Sequence, residues 1–527
     1  MAWKPDGPAG NESAKIKWEI VPYTRGKGLD LGCGPYKAFP HFRGIDSNID
    51  AQLFGIQATG ADFIIPTCEV LDDFASQSQE FIFSSHLLEH ISNWKGALKE
   101  WWRVLKQSGH LILYVPDKNE YPKVGAKGAN PDHKWNCTYD KIVNAMKDIG
   151  GWDLVEFQKR NQDDEYSLFF VFKKFSDAKV HRHSWRDPKP TKTCAIVRYG
   201  AWGDAIQATS LLPALKAEGY HITFYTTPRG LEAIKHEPLI DHFVIQDTDQ
   251  VPNHELGPFW DYISKKYTKF INLSESVEGS LLALPDRIES RWPKEARHML
   301  MDFNYLEFTH KIAEVEFHQP KMRFVPSEAE KAWAKKEYIK IAAAPLIMWV
   351  IRGSSLHKVW NGGVDETNQM TGMDGVLNRI LMTWPNAKVV TVGDKWCQDK
   401  IEPVWAAEAR IVRRSNIWSI RETMAMAQMA DMVIGPETGV LNSVAMESMR
   451  KIVFMSHSSV KNLTDGWVNT ASLVPEGVSC YPCHRLVYKW QDCNQDGETG
   501  IAKCQASITP EMVWDAIRET LDQQEAA

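Results

Sequence analysis

Asp204 stands where a single carboxylate can do acid–base work. The stretch Cys194-Ala-Ile-Val-Arg-Tyr-Gly-Ala-Trp-Gly-Asp204 runs from an apolar strand (Ala195 to Val197) into a loop carrying Gly200 and Gly203. Ile206, Leu211, Leu212 and Leu215 then recur at helical spacing. In an open α/β sheet such a turn lies at the carboxyl end of its strand, where ligands bind. A carboxylate there can take a proton from a hydroxyl, and it can equally cap the helix that follows. This stretch alone leaves both roles open. Two later stretches carry groups suited to phosphate. Val350–Trp360 is a strand running into a loop with Arg352, Ser354, Ser355 and Lys358. Gly435-Pro-Glu437-Thr438-Gly439-Val-Leu-Asn442-Ser443 is a glycine-bracketed loop expected to open a helix over 445–449. Free N–H groups at a helix start attract anions, and a cation from a facing loop completes a diphosphate clamp. A surface turn and a plain helix cap are the structural alternatives. Cys480-Tyr-Pro-Cys483, Cys493 and Cys504 place four of the nine cysteines within 25 residues. That spacing suits a tetrahedral structural zinc, with free thiols or a disulfide as the alternatives.

The elements that must position these groups alternate strand and helix throughout. Gly28–Pro35 reads as a strand entering a glycine-rich turn, and Gly44–Asp46, Ala61–Ile65, Phe81–Ser85 and His110–Pro116 read as further strands. A helix is expected from about Trp94 to Lys106, ending at Gly109, and Trp152–Phe157 with Ser167–Lys173 close the series. The pattern predicts an α/β, doubly wound first domain over residues 1–175. Residues 176–191, with two prolines and many cationic side chains, read as a linker. A second α/β half follows over 192–330 and a third over 331–527, the last with the Cys-rich segment 480–504. Two facing halves leave a cleft, a favoured place for ligands.

Composition narrows the function classes. At 527 residues the chain needs more than one core. A net charge of −6 argues against a bulk nucleic-acid binder, although a local basic patch stays open. The sequence has no apolar window of spanning length, and Met1–Ser13 lacks an apolar leader. A soluble, cytoplasmic protein with no transmembrane segment and reduced thiols is therefore expected.

The glycine turn within Gly28-Leu-Asp-Leu-Gly32-Cys-Gly34-Pro is not a dinucleotide loop, since Lys37 replaces its third glycine. Asp46, at the end of the next strand, can accept hydrogen bonds from both hydroxyls of a ribose. Leu29-Asp-Leu-Gly-Cys-Gly-Pro, Gly44-Ile-Asp46, Asp62, Ser84-Ser-His-Leu-Leu-Glu-His90 and Trp102-Arg-Val-Leu-Lys-Gln-Ser-Gly-His-Leu-Ile-Leu together resemble class I S-adenosylmethionine-dependent methyltransferases, over roughly 26–174. The resemblance implies that Gly32 and Gly34 admit the cofactor's amino-acid end. Asp46 would hold its ribose, Asp62 would face its adenine, and Ser85 and His86 would border the methyl group. His86 and His90 are candidate bases, with a structural role as the alternative. No metal-binding set is visible in this part of the sequence. Sixteen positions from Asp30 to Asp46 leave little room for the usual helix after the first strand.

Arg198–Lys216, Ser355-Leu-His-Lys-Val-Trp, Thr391-Val-Gly393-Asp and Gly435-Pro-Glu-Thr-Gly-Val resemble the heptosyltransferase type of GT-B glycosyltransferase, whose two Rossmann-like domains face each other. The resemblance implies an inverting, metal-independent transfer with Asp204 as base on the acceptor. Arg352, Ser355 and Lys358 would meet the donor phosphates, and Thr438 and Gly439 the diphosphate. Gly393, Glu437 and Asn442 would also lie at the donor. Glu437 replaces the family's aspartate and Asn442 a frequent histidine, which argues against ADP-heptose itself. The expectation is an enzyme of two transferase modules. One moves sugar from a nucleotide-sugar to a glycan acceptor; the other methylates a saccharide from S-adenosylmethionine, as in bacterial or bacteriophage surface-glycan (lipopolysaccharide) synthesis. The alternatives are a glycosyltransferase acting on modified nucleic acid or protein, and a nucleotide-binding scaffold with one inactive module.

Overall fold

The computed structural model describes residues 11–47, 59–274, 291–318, 321–353, 358–360, 371–487 and 489–525. The chain divides into two compact units: Met1–Thr191 with Ile245–Lys266, and Lys192–Val244 with Tyr267–Ala527.

The first unit is built on one eight-stranded sheet. Its strands are β1 (Gly28–Leu31), β2 (Arg43–Asp46), β3 (Phe63–Ile64), β4 (Gln79–Ser85), β5 (Leu105–Pro116), β6 (Trp152–Arg160), β7 (Ser167–Lys174) and β8 (His181–Arg182). They lie in the order β3-β2-β1-β4-β5-β7-β6-β8. The strands from β3 to β5 are parallel, and β7 runs antiparallel to both β5 and β6. As the short spacing requires, the chain passes from β1 to β2 through turns alone. The helix Trp94–Val104 starts with the Asn93 side chain accepting the Gly96 N–H at 3.3 Å, and it buries Ala97, Leu98, Trp101 and Trp102. It ends at Val104 rather than at Lys106. Leu105 already pairs with Gln79 as the first residue of β5. Gly109 lies inside that strand, so close to β4 that a Cβ would meet the Glu80 carbonyl oxygen at 2.6 Å. This glycine serves strand approach, not helix termination.

The 176–191 stretch, expected as a linker, contributes β8 along the edge of β6. His181 and His183 lie with ring centroids 5.3 and 5.2 Å from that of the buried Trp152. Ile245–Lys266 also packs in this unit. Asp247 accepts from the Arg25 guanidinium at 3.0 Å and from Gly26 N–H at 2.9 Å, and Phe259 lies 5.6 Å from Trp18.

The second unit holds two sheets. β9 (Thr193–Val197), β10 (His221–Thr226), β11 (His242–Ile245) and β12 (Lys269–Asn272) are ordered β11-β10-β9-β12. The other sheet comprises β13 (Leu346–Val350), β14 (Lys388–Val392), β15 (Ile411–Arg413), β16 (Met432–Pro436), β17 (Arg450–Phe454) and β18 (Thr470–Leu473). Its order is β15-β14-β13-β16-β17-β18, parallel throughout. Leu346 to Val350 are all buried, the unbroken apolar run of a parallel strand covered on both faces. Capping boxes start the helices Glu328–Ile341 (Ser327 with Glu330) and Ile420–Ala427 (Ser419 with Glu422). One apolar cluster spans both sheets, from Ile196 and Leu212 to Val350 and Val433.

Candidate functional site

Asp204 occupies the first turn of the helix Trp202–Ala208, immediately after β9. Its Oδ2 accepts the Ala201 N–H at 2.7 Å, and its Oδ1 lies 3.0 Å from Arg198 Nη2. Arg198 is 1 % exposed and also donates to the Tyr305 hydroxyl at 2.6 Å; that hydroxyl in turn reaches Asp204 Oδ1 at 3.4 Å. The carboxylate is thus held by a buried cation while its side chain stays 23 % exposed. The capping and the reactive readings are compatible here, because one oxygen steadies the turn while the other meets the cation. Gly200, at φ +116, is required beside it: a Cβ there would lie 2.5 Å from Asp204 Oδ2.

Next to Asp204 the two sheets' helices meet. A Cβ on Gly439 would lie 2.9 Å from Trp202 Cβ and 3.3 Å from Gly203 N, and one on Gly203 would lie 3.0 Å from Asn442 Nδ2. Gln207 donates to Asn442 Oδ1 at 2.8 Å, and Asn442 Nδ2 donates to the Thr438 carbonyl at 2.9 Å. Asn442 is therefore buried with both ends of its amide engaged. The helix expected over 445–449 is instead the short Gly439–Ser443, entered directly from extended Thr438. It stops where Ser443 Oγ bonds back to the Val440 carbonyl at 2.6 Å, an alternative partner that competes with helix continuation.

The cations reach this turn from the Arg352–Val359 bridge that follows β13. Lys358 Nζ donates to the Glu437 carbonyl at 2.7 Å and lies 3.7 Å from Glu437 Oε2. A Cβ on Gly353 would sit 3.4 Å from Thr438 Cγ2, so the bridge lies directly on the turn. Thr438 Oγ1 is buried without a hydrogen-bond partner. Arg352 pairs with Asp394 at 3.3 Å and stacks over Trp396, and Gly393 accepts Asn416 N–H at 3.0 Å. Ser354 and Ser355 lie outside the described residues. Glu437 is 2 % exposed. Burial opposes its ionisation, but His457 at 2.8 Å, Lys358 and the Ser456 N–H outweigh that and hold the carboxyl far below its usual range.

In the first unit, Gly32 (φ +70) and Gly34 (φ +55) make the turn after β1, in a backbone region that favours glycine. Asp46 Oδ2, at the end of β2, accepts the Gly34 N–H at 2.9 Å, which joins the ribose candidate to the glycine turn. Asp30 is buried against the Ala38 N–H, and burial pushes its carboxyl up to about 7. Asp62 accepts Gly44 N–H at 2.8 Å and pairs with Lys37 at 3.0 Å. Burial works against its ionisation, yet those two contacts win and lower its pKa. Ser85 Oγ, at the end of β4, is buried with no hydrogen-bond partner. His86 follows it, with Nε2 2.9 Å from Ser167 Oγ and Nδ1 3.4 Å from Glu89 Oε1; burial drives its pKa well down.

Cys480, Cys483, Cys493 and Cys504 line one small cavity with Ser456, His457, Tyr481 and Arg485. Burial raises the Cys483 and Cys493 thiols to about 11. Among the described residues, two groups bring three ligand atoms within 4.8 Å of one another, and neither contains these thiols: Glu89–His90–His133 and His298–Asp302–His484.

Sequence reasoning missed Arg198 and Tyr305 as the supports of Asp204, His457 beside Glu437, and His133 beside Glu89. Arg198 lies in the same strand-to-helix stretch as Asp204, six residues ahead of its partner. The other three belong to stretches whose spacing carries no signal linking them to the site.

Residues 29–113 match the family described as methyltransferase domain, and the chain carries that domain at its N-terminal end. No match was found among curated proteins. Solved structures similar to the chain include a glycosyl transferase family 9 protein from Veillonella parvula, at 13 % identity and TM-score 0.46, covering 63 % of this chain and 98 % of that one. The E. coli ADP-heptose lipopolysaccharide heptosyltransferase II is similar at 13 % identity and TM-score 0.44, covering 64 % and 100 %. A complex of the Haloferax volcanii Trm112 methyltransferase activator with a putative methyltransferase is similar at 16 % identity and TM-score 0.25, covering 31 % and 90 %.

Proposed function

We propose that the chain transfers a sugar from a nucleotide-sugar to a glycan hydroxyl, inverting and without a catalytic metal, and methylates a saccharide from S-adenosylmethionine. The observation that carries the sugar transfer is the passage of Gly203 against Gly439, which sets the turn of Asp204 beside the turn of Thr438. Asp204 takes the proton of the acceptor hydroxyl, its charge kept in place by Arg198. Lys358, Arg352 and the unpartnered Thr438 hydroxyl face the leaving diphosphate, with its negative charge met by fixed donors. Asn442 acts by holding the two helices together.

For methyl transfer, Gly32, Gly34 and Asp46 fit a cofactor with a ribose and an amino-acid end, and the orphan Ser85 hydroxyl is a donor for it. When bound, S-adenosylmethionine supplies an electrophilic methyl on sulfur. His86 lines the same strand end and orients the acceptor from there. The reading also keeps a structural zinc for the four thiols around their shared cavity. Zinc requires them to close to coordination distance and deprotonate. About one zinc per purified chain, lost in Cys483→Ser, supports it; a metal-free chain with four titratable thiols refutes it.

The deciding experiment follows donor consumption across a panel of nucleotide-sugars by mass spectrometry, comparing wild type with Asp204→Asn. A loss on the order of a hundredfold is expected for a missing general base. An unchanged rate removes Asp204 from the mechanism.

A further inference from the structure

Glu89 is fully buried, and neither of its carboxylate oxygens has a hydrogen-bond donor. Two imidazoles stand against it. His133 Nε2 lies 3.9 Å and His86 Nδ1 3.4 Å from Glu89 Oε1, while the His90 and His133 rings meet edge to face at 4.8 Å. One ligand atom each from Glu89, His90 and His133 falls within a sphere of mutual distances under 4.8 Å.

The backbone holds this arrangement from two sides. Glu89 and His90 belong to the single helical turn Leu88–His90 that follows β4. His133 comes from the segment after β5, which is tied to that turn on the C-terminal side of His133: Lys134 N–H donates to the Glu89 carbonyl at 2.8 Å, and Trp135 Nε1 donates to the Leu88 carbonyl at 3.0 Å. Tyr121 closes the far side, its ring 5.1 Å from His133. A carboxylate in such a place is costly unless paired or ligating a metal. The other two-imidazole set differs on this point, because Asp302 already accepts the Ser459 hydroxyl and His298 is exposed.

We propose that Glu89, His90 and His133 bind one divalent transition-metal ion, of the manganese, iron(II) or zinc class. Two imidazoles and one carboxylate satisfy three positions of such an ion and leave others open. His86 directly follows Ser85, so the ion sits next to the strand end assigned to methyl transfer. Its open positions then take a hydroxyl or vicinal diol of the methyl acceptor. This role rests on the methyltransferase reading; the metal site itself does not.

The test uses the full chain, stripped with chelator and titrated with MnCl2, which disfavours the thiol cavity. Wild type is expected to bind about one Mn2+, and pulsed electron paramagnetic resonance of the loaded protein to show nitrogen couplings from two imidazoles. Glu89→Gln and His133→Asn should each weaken binding at least tenfold, while His298→Asn and Cys480→Ser leave it unchanged. Absence of Mn2+, Fe2+ and Zn2+ binding, absence of nitrogen coupling, or undiminished binding in Glu89→Gln overturns the site. The spectroscopic readout needs no variant, so a poorly folding substitution does not decide the matter. Calorimetry with S-adenosylmethionine runs alongside. A chain that binds the cofactor but takes up none of these metals sinks this inference alone, and one that binds metal but no cofactor sinks the methyltransferase reading alone.

Discussion

Gly203 and Gly439 lie against each other where the helices of the second unit's two sheets cross, with 3.3 Å between Gly203 N and the place a Cβ on Gly439 would take. No larger residue fits without separating Asp204 from Thr438. Gly439→Ala would also press on Trp202 Cβ at 2.9 Å. Overpacking of this kind costs about 1–3 kcal/mol. The expected outcome is a lower melting temperature together with a larger fall in sugar transfer than the stability loss explains, read by calorimetry and by turnover at saturating donor.

Lys358 is expected to act on the donor and on Glu437 at once. Lys358→Met removes the ammonium 3.7 Å from the buried Glu437 carboxylate, leaving His457 as its ion-pair partner. Donor KM should rise and kcat should fall by roughly tenfold or more, in proportion to lost stabilisation of the leaving diphosphate. Unchanged kinetics in a folded variant would place the diphosphate elsewhere.

Arg421 ties together chain segments distant in sequence. It pairs with Glu330 through two bonds of 2.6 and 2.8 Å and donates to the carbonyls of Glu232, Ala233 and Val325. It is 3 % exposed, so Arg421→Met leaves three carbonyls without this donor and Glu330 with only its Ser327 N–H contact at 2.7 Å. A loss of about 3–5 kcal/mol is expected in chemical denaturation.

The same pair sets an acid limit. Burial resists ionisation of Glu330, but Arg421 and Ser327 outweigh it and bring its pKa from the ordinary 4.5 down to about 2. A depressed carboxyl contributes its full stability above 4.5 and loses it as pH falls from 4.5 through about 2. Glu330→Gln should flatten the stability profile of the wild type in that window and leave its slope near neutrality unchanged.

Asp46 is expected to matter for cofactor binding rather than for folding. Its Oδ2 accepts Gly34 N–H at 2.9 Å, so Asp46→Ala loosens the glycine turn and removes the carboxylate proposed to hold the ribose. S-adenosylmethionine affinity should fall at least tenfold by calorimetry, with sugar transfer unaffected.

The α/β alternation, the glycine turn after β1, the Asp204 turn and the cationic loop after β13 were all legible in the chain. Each is a local pattern: apolar runs of strand length, glycines at turns, a carboxylate beside them. Boundaries were less legible where sheet pairing overrode local preference. Leu105 left the helix to pair with Gln79, and His181–Arg182 joined the edge of β6.

What the amino-acid order determined by itself is which side chains stand at strand ends, because strand, turn and helix follow from periodicity within a few residues. Tertiary structure alone decided their partners. Arg198 and Tyr305 meet at Asp204 across a sequence separation of 107, Gln207 meets Asn442 across 235, and His133 reaches Glu89 from the segment after β5. No periodicity links such residues. Only the shared crossing of helices and strands, driven by burial of the apolar faces around them, brings their polar ends into range.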